Sequence, residues 1–497
     1  MKQIAYFTLF LFFLAVNSQN PGIKVAVTHD FFVQFQKSIL PQLVAKIGNI
    51  EVASIQSGSL TLSNLIVSEI SLPAESLRLS FNDDHLSVAS DSFGLRIDLN
   101  AAYDLYLFSI GFNMVITCSN SSFLTDFGFA YAQKNIALKM NEFILQINNL
   151  DLYFPAWLTD KIIGSIVRLF LGSIQDMLSD NLSKALGGVV EESVNKIIDT
   201  MPGYTPIPGT IAGVDYNPNQ SPKISANYFS VNLNGTFYNA DTGLFVPPVP
   251  LPAMIPDYDE TTGGSTQVFI SDYMINTALY TFWQAGLLKT RVTQDLIPAQ
   301  APLNLNIQWL QVFIPEVAKY YSPSVQVAFD VEVSEFPLAA ITPHDVEAKL
   351  TSIVTIYAVQ DGKFTKIASL EGAVDIHANA SVSNWKVSPF VSNATFFNYS
   401  VIHSDVGSID AGLFEQGMNL MMGLVIPALN AQSIVVDLPT LPYIDLATLK
   451  VSCFPGYLEI TATPTFKIPS EDKINFIFDS AYQYNPKALE FLKLDDQ

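Results

Sequence analysis

Cysteine is scarce in this chain: among 497 residues there are two, Cys118 and Cys453, far apart in sequence. A disulfide framework is therefore excluded as the main source of stability, and so are multi-cysteine metal sites. Charge is scarce as well, at 14% of residues, against roughly 25% in an average domain. The shortage falls hardest on the basic side, with 25 lysines and arginines against 46 acidic residues and a net charge of −21. That balance argues against nucleic acid or an anionic membrane as an electrostatically held partner. His29 beside Asp30, His344 beside Asp345 and His403 near Asp405 pair histidine with acid, but neighbours in sequence do not make a triad. No G-x-S-x-G elbow, H-E-x-x-H or calcium-loop pattern accompanies them. Gly263-Gly264 in ETTGGSTQ lacks the lysine of a phosphate loop and reads as a turn. No catalytic residue, metal or cofactor is expected.

What is plentiful is apolar side chain, 49% of residues, in a chain long enough for two or more domains with separate cores. The opening MKQIAYFTLFLFFLAVNS sets one lysine before an apolar run from Ile4 to Val16 and ends in small residues. This is the pattern of a secretory signal, residues 1–18. The run is shorter than the roughly 20 residues of a membrane span, and no later segment is longer without a break. A secreted or lumenal glycoprotein is expected, with glycosylation candidates at Asn120, Asn181, Asn234, Asn379, Asn393 and Asn398. A seventh sequon, at Asn219, is weakened by Pro222.

From Glu51 to about Phe154 the pattern has period two. Leu95, Ile97, Leu99, Ala101, Tyr103, Leu105 and Leu107 face one way, and Arg96, Asp98, Asn100 and Asp104 the other. A curved antiparallel sheet with one dry face is expected. A helix precedes it over 29–48, with Phe32, Phe35, Ile39, Leu43 and Ile47 at spacings of three and four and a kink at Pro41. A long helix follows over 155–200, broken or bent at Gly187-Gly188. A proline-rich centre, with ten of the 28 prolines between Pro202 and Pro256, separates this half from a second on the same plan. That half opens with SDYMINTALYTFWQAGLLK over 271–289, whose polar residues Asp272, Asn276 and Gln284 form one thin stripe on an otherwise apolar helix. Strands follow, such as SVQVAFDVEV, and a last helix covers 408–431.

Several stretches in this order resemble one family: NPGIKV, GTIAGVDYN with LNGTFYN, VPPVPLPAM before the apolar helix, DLIP, FIPEVAKYY, and LVIPALNAQSIVVDLPTLPYIDLATLKV. The chain is similar to the lipid-transfer and lipopolysaccharide-binding proteins, the group of bactericidal/permeability-increasing protein and the phospholipid and cholesteryl ester transfer proteins. The resemblance runs from Asn20 to about Lys467. It implies an α+β fold: an elongated boomerang of two pseudo-symmetric barrels, each a highly curved antiparallel sheet wrapped on a long helix, joined by a central antiparallel sheet. The implied divisions are an N-terminal barrel over 19–200, a linker and central sheet over 201–256, a C-terminal barrel over 257–467 and a tail over 468–497.

The partners it implies are a phospholipid or other acyl-chain lipid, and transient contact with membranes or lipid particles. An acyl chain of about 15 methylenes gains on the order of 12 kcal/mol on burial, at ~0.8 kcal/mol each, before association costs. The residues expected to face lipid are Phe32, Phe35, Ile39, Leu43, Ile162 and Ile166 in the first half, and Met274, Phe282, Leu413 and Met421 in the second. Three features depart from the family, one being the tail after Lys467, ending in NPKALEFLKLDDQ, which extends past the resemblance. The family's disulfide between sheet and long helix is missing, because 157–200 has no cysteine. Gln19 to Thr200 holds 11 basic and 18 acidic residues, net −7, which disfavours lipopolysaccharide recognition through lysine clusters. Innate-defence recognition of that lipid stays open as an alternative, as does a non-lipid structural protein with closed pockets.

Overall fold

The computed structural model describes residues 20–38, 50–105, 108–132, 135–155, 171–199, 203–207, 209–243, 247–298, 303–383, 386–431, 435–437 and 444–466. Strand β1 (Ile23–Thr28) runs directly into helix α1 (His29–Ser38). The next eight strands are β2 (Ile50–Val52), β3 (Ile55–Ser57), β4 (Leu60–Ser71), β5 (Leu77–Asn82), β6 (His85–Leu105), β7 (Phe108–Ala132), β8 (Asn135–Gln146) and β9 (Asn149–Tyr153). They make one antiparallel sheet in the order β2-β4-β6-β7-β8, with β3 on β4, β5 on β6 and β9 on β7.

The alternation that suggested a dry face is realised, with Leu95, Ile97, Leu99 and Ala101 all buried. At 21 and 25 residues, β6 and β7 are too long to stay flat. Their pairing shifts on either side of Phe93. Next to it, Gly94 stands where a Cβ would come 3.1 Å from the Cys118 carbonyl. The curled sheet receives a row at spacing four, Ile174, Leu178, Leu182 and Leu186, from helix α2 (Leu171–Asp199). The expected break at Gly187-Gly188 does not occur, and α2 runs through both. Gly187 lies against Phe143, where a Cβ would sit 3.2 Å from that residue's Cβ. Close packing of helix on sheet there offsets the weak helix propensity of glycine.

The middle of the chain supplies β10 (Tyr204–Pro206), β11 (Ala212–Asp215), β12 (Lys223–Ile224), β13 (Tyr228–Leu233), β14 (Thr236–Asn239) and β15 (Thr266–Ser271). Helix α3 (Asp272–Gln284) stops short of the expected residue 289. Gly286, at φ +67°, turns the chain out of the helix while the Leu287 N–H still reaches the Phe282 carbonyl at 2.9 Å. The second curled sheet then comprises β16 (Lys289–Val292), β17 (Gln326–Val333), β18 (Leu338–Ile341), β19 (Val346–Gln360), β20 (Lys363–Ser383), β21 (Lys386–Ser404) and β22 (Val436–Asp437). Its order is β16-β17-β19-β20-β21-β22, with β18 on β19. Helix α4 (Ala411–Asn430), capped by the Asp410 carboxylate on the Leu413 N–H, packs into it. Last come β23 (Ile444–Phe454) and β24 (Tyr457–Phe466).

Between the curled sheets lies a six-stranded sheet, β12-β13-β1-β15-β24-β23, with β1 from one end of the described chain and β23-β24 from the other. The proline-rich centre folds onto one of its faces. Buried Lys24 donates to the Ile255 carbonyl at 3.0 Å and to Asp257 at 2.7 Å. Buried Gln267 bonds both backbone groups of Asp259, and Thr262 donates to buried Glu459.

Each of the three long helices is bolted to a strand by asparagine. Asn195 of α2 bonds the N–H and the carbonyl of Leu138, at 2.7 and 3.0 Å. Asn276 of α3 holds Ala339 in the same way, and α4 does so twice, through Asn419 on Phe396 and Asn430 on Val391. The two halves repeat a further detail. Four residues before the asparagine, Glu191 accepts from the Met140 N–H and Glu415 from the Tyr399 N–H. Strand β8 ends its sheet, and beyond Val387 strand β21 pairs only with β20, so these side chains satisfy backbone groups that no neighbouring strand reaches. Ser179 and Ser183 of α2 also accept N–H groups, from Ile147 and Leu145. A polar zipper thus fastens α2 to the sheet that a disulfide would otherwise tie. Both cysteines are free.

Candidate functional site

Helix α3 has two faces of different character. On one, Tyr273, Asn276, Thr277 and Thr281 are buried; the Tyr273 hydroxyl lies 3.0 Å from Thr236 Oγ1, and Thr277 Oγ1 accepts the Phe237 N–H at 3.0 Å. Asn276, a member of the thin polar stripe, is 4% exposed and spent on anchoring rather than on water.

The other face carries Ile275, Ala278 and Phe282, spaced by three and four, and stays half-buried. Val346 on β19, Val382 on β20, Val387 on β21, and Leu449, Val451 and Cys453 on β23 join it, all half-covered, around buried Met274, Ile341, Leu458 and Ile460. Apolar side chains gathered beneath a helix yet left incompletely covered lose dispersion partners on one side, which a hydrocarbon would supply. Burial and then the charge of Asp345 push the Cys453 thiol up, so it stays protonated and behaves as a small apolar group.

An aromatic counterpart lies at the start of α1. Phe32 meets Phe81 at 5.4 Å and Phe229 at 6.2 Å between ring centroids, and Phe229 meets Phe129 at 5.1 Å. Phe32, Leu79, Phe127, Phe129 and Phe229 are half-buried around buried Phe81, Leu86 and Ile224.

Of the residues expected to face lipid, Met274 and Phe282 come together beneath α3, and Phe32 joins the aromatic cluster. Leu413 and Met421 are not brought to either place. Leu413 is 40% exposed on the outside of α4, whereas Met421 is fully buried with Phe414, Met418, Met422 and Val425 in a filled core against Phe313, Phe329 and Phe396. The side chain of Phe35, and Ile39, Leu43, Ile162 and Ile166, lie outside the described residues. The contributions of β23, and of Phe127, Phe129 and Phe229, were not anticipated; the alternation in LATLKVSC was the available signal for the first.

Among the glycosylation candidates, Asn120, Asn393 and Asn398 are exposed. Asn181 and Asn379 are half-buried, with the Asn181 amide on the Met177 carbonyl. Asn234 is also half-buried, its amide donating to Asp215 at 3.0 Å. His403 lies 3.0 Å from Asp405 at an exposed site, and Asp345 pairs with the distant His377 rather than with its neighbour His344. Among the described residues no helix is long and apolar enough to cross a membrane.

The architecture defines a two-lobed protein built of curled sheets on long helices, and comparison with known proteins places it. Residues 209–465 match the model of the LBP / BPI / CETP family, C-terminal domain, and the chain belongs to that family. It is 27% identical over 255 residues to the bactericidal permeability-increasing protein of Sebastes schlegelii, covering 50% of this chain and 52% of that one. It is 24% identical over 296 residues to BPI fold-containing family B member 2 of Homo sapiens, covering 58% of this chain and 63% of that one. The chain thus spans little more than half the length of these relatives. A crystal structure of lipopolysaccharide binding protein aligns over 90% of this chain and 99% of its own with a TM-score of 0.51 at 17% identity, which shows the same fold.

Proposed function

We propose that the protein is a secreted, non-catalytic lipid binder that holds phospholipid-like molecules by their acyl chains, and transfers them between membranes or lipid particles. One observation carries this reading: the stripe Ile275, Ala278 and Phe282 of α3 and the residues Val382, Val387, Leu449 and Val451 all pack against one buried apolar cluster yet stay half-covered. In this reading the aromatic cluster around Phe32 serves the N-terminal lobe. Lipid recognition rests on area rather than charge, consistent with a net charge of −21. Transfer of a fluorescent phosphatidylcholine from donor to acceptor vesicles tests it, with faster transfer expected in the presence of the protein and no acceleration counting against it.

A second reading is recognition of lipopolysaccharide, the lipid after which the structural relative is named. The deficit of basic residues in 19–200, 11 against 18 acidic, speaks against an electrostatic version of it. Binding to lipid A at moderate salt, with no phospholipid transfer, would favour this second reading.

A further inference from the structure

The hairpin β18-β19 wraps under α3, and on its outer side it gathers a group of metal-ligating side chains that lipid binding does not use. Asp345 closes the turn, Glu347 lies two residues on in β19, and His377 faces Glu347 across the strand pair β19-β20. Ligand atoms of these three residues all lie within 4.8 Å of one another. The Asp345 side chain is 16% exposed and that of His377 32%, so the group is partly dry yet open to solution on one side.

We propose that Asp345, Glu347 and His377 form a binding site for a divalent transition-metal ion, with zinc as the best fit. One imidazole nitrogen and two carboxylates are a donor set zinc accepts, at about 2.0–2.2 Å per bond. Tetrahedral ligand atoms then stand about 3.4 Å apart. His377 Nδ1 and Asp345 Oδ2 are now 2.8 Å apart. Replacing the shared proton with the ion requires a small opening of that pair and a side-chain rotation of Glu347, with no movement of the strands.

Four surroundings favour a cation there. Asp375 is two residues from His377 on the same strand, its Oδ2 3.9 Å from His377 Nε2, and brings a third carboxylate. Among the described residues no lysine or arginine forms an ion pair with Asp345 or Glu347, and Lys349, opposite Asp375 in register, lies 5.0 Å over the Phe397 ring. The pairing of β20 with β21 also slips at His377, where the extra residue Ser392 donates to the His377 carbonyl at 3.0 Å. Such an irregularity re-aims the adjoining side chain. Asp345 is oriented from behind by Thr342, whose hydroxyl lies 3.1 Å from Oδ1, an outer-shell contact of the kind metal-ligating carboxylates make.

A bound ion would join β19 to β20 on the outside of the strands whose Val346 and Val382 help to line the apolar site, stiffening that wall. The test is calorimetric titration of zinc chloride into the full-length chain after chelator treatment, near neutral pH. One zinc per chain is expected, with binding weakened at least about tenfold in Glu347→Gln and in His377→Gln and unchanged in His344→Gln, a control in the same turn. Melting of the metal-free variants, read by circular dichroism, should match the parent chain, because the substituted side chains reach solvent. Absence of zinc binding by the parent chain overturns the proposal, and so does binding that persists unaltered in both Glu347→Gln and His377→Gln.

Discussion

Asn419 grips both polar groups of a single residue, accepting the Phe396 N–H on Oδ1 at 2.7 Å and donating from Nδ2 to the Phe396 carbonyl at 3.0 Å. An amide side chain and a backbone amide have complementary donors and acceptors, so the pair substitutes for the strand that β21 lacks on that side. The same bond pattern at Asn195, Asn276 and Asn430 makes the attachment of helix to sheet a repeated device of the fold.

Asn419→Ala leaves both groups of buried Phe396 without partners, at a cost of about 1–3 kcal/mol. Urea denaturation should show the lowered midpoint. Asn419→Asp keeps the acceptor for the N–H but turns a carboxylate toward the carbonyl, and should also destabilise. A midpoint unchanged in both variants would mean that the pairing is incidental.

Gly187 and Gly188 are adjacent in α2 but meet different surroundings. Nothing lies within 4 Å of a Cβ at Gly188, whereas one at Gly187 presses on Phe143. Gly188→Ala should therefore stabilise by about 0.5–1 kcal/mol through helix propensity. Gly187→Ala should recover less or lose stability, as thermal melting of the two variants side by side would reveal. Equal gains would contradict the tight packing at Gly187.

Glu459 is fully buried with one carboxylate oxygen unpartnered, and burial raises its pKa above the ordinary 4.5. An acid whose folded pKa is raised contributes most stability below its unfolded pKa and loses that contribution as pH rises through the folded value. At neutral pH the ionised form is the disfavoured one. Glu459→Gln should therefore raise the denaturation midpoint at pH 7, with the advantage shrinking as pH falls through the raised folded pKa and gone by about pH 4.5. A variant less stable than the parent at pH 7 would mean that the charge is compensated.

Ala278 distinguishes an open apolar site from a solid core. In a site with room for a hydrocarbon, Ala278→Trp fills space and displaces lipid while the fold keeps its stability; in a packed interior the added ring costs about 1–3 kcal/mol. Lipid occupancy and urea midpoint measured on the same preparation separate these outcomes.

Much of this fold was legible because its signals are local. The alternation of Leu95, Ile97, Leu99 and Ala101 gave a dry sheet face, and the apolar spacing in 272–284 gave α3. The asparagine bolts were not legible, since Asn195, Asn276 and Asn419 find their partners 57, 63 and 23 residues away. Gly187-Gly188 misled for a related reason, because its compensating contact, Phe143, lies on another element. Spacing alone could not separate Met421, enclosed in a filled core, from Phe282, half-covered beneath α3. Both belong to apolar helices, and only the opposite wall differs.

Native mass spectrometry of the purified full-length chain, followed by organic extraction and identification of what is released, is the most direct measurement of whether acyl chains complete the surface beneath α3. Bound diacyl lipid is expected on the parent chain, at reduced occupancy in Ala278→Trp. A chain that stays lipid-free after incubation with phospholipid vesicles would contradict the central claim.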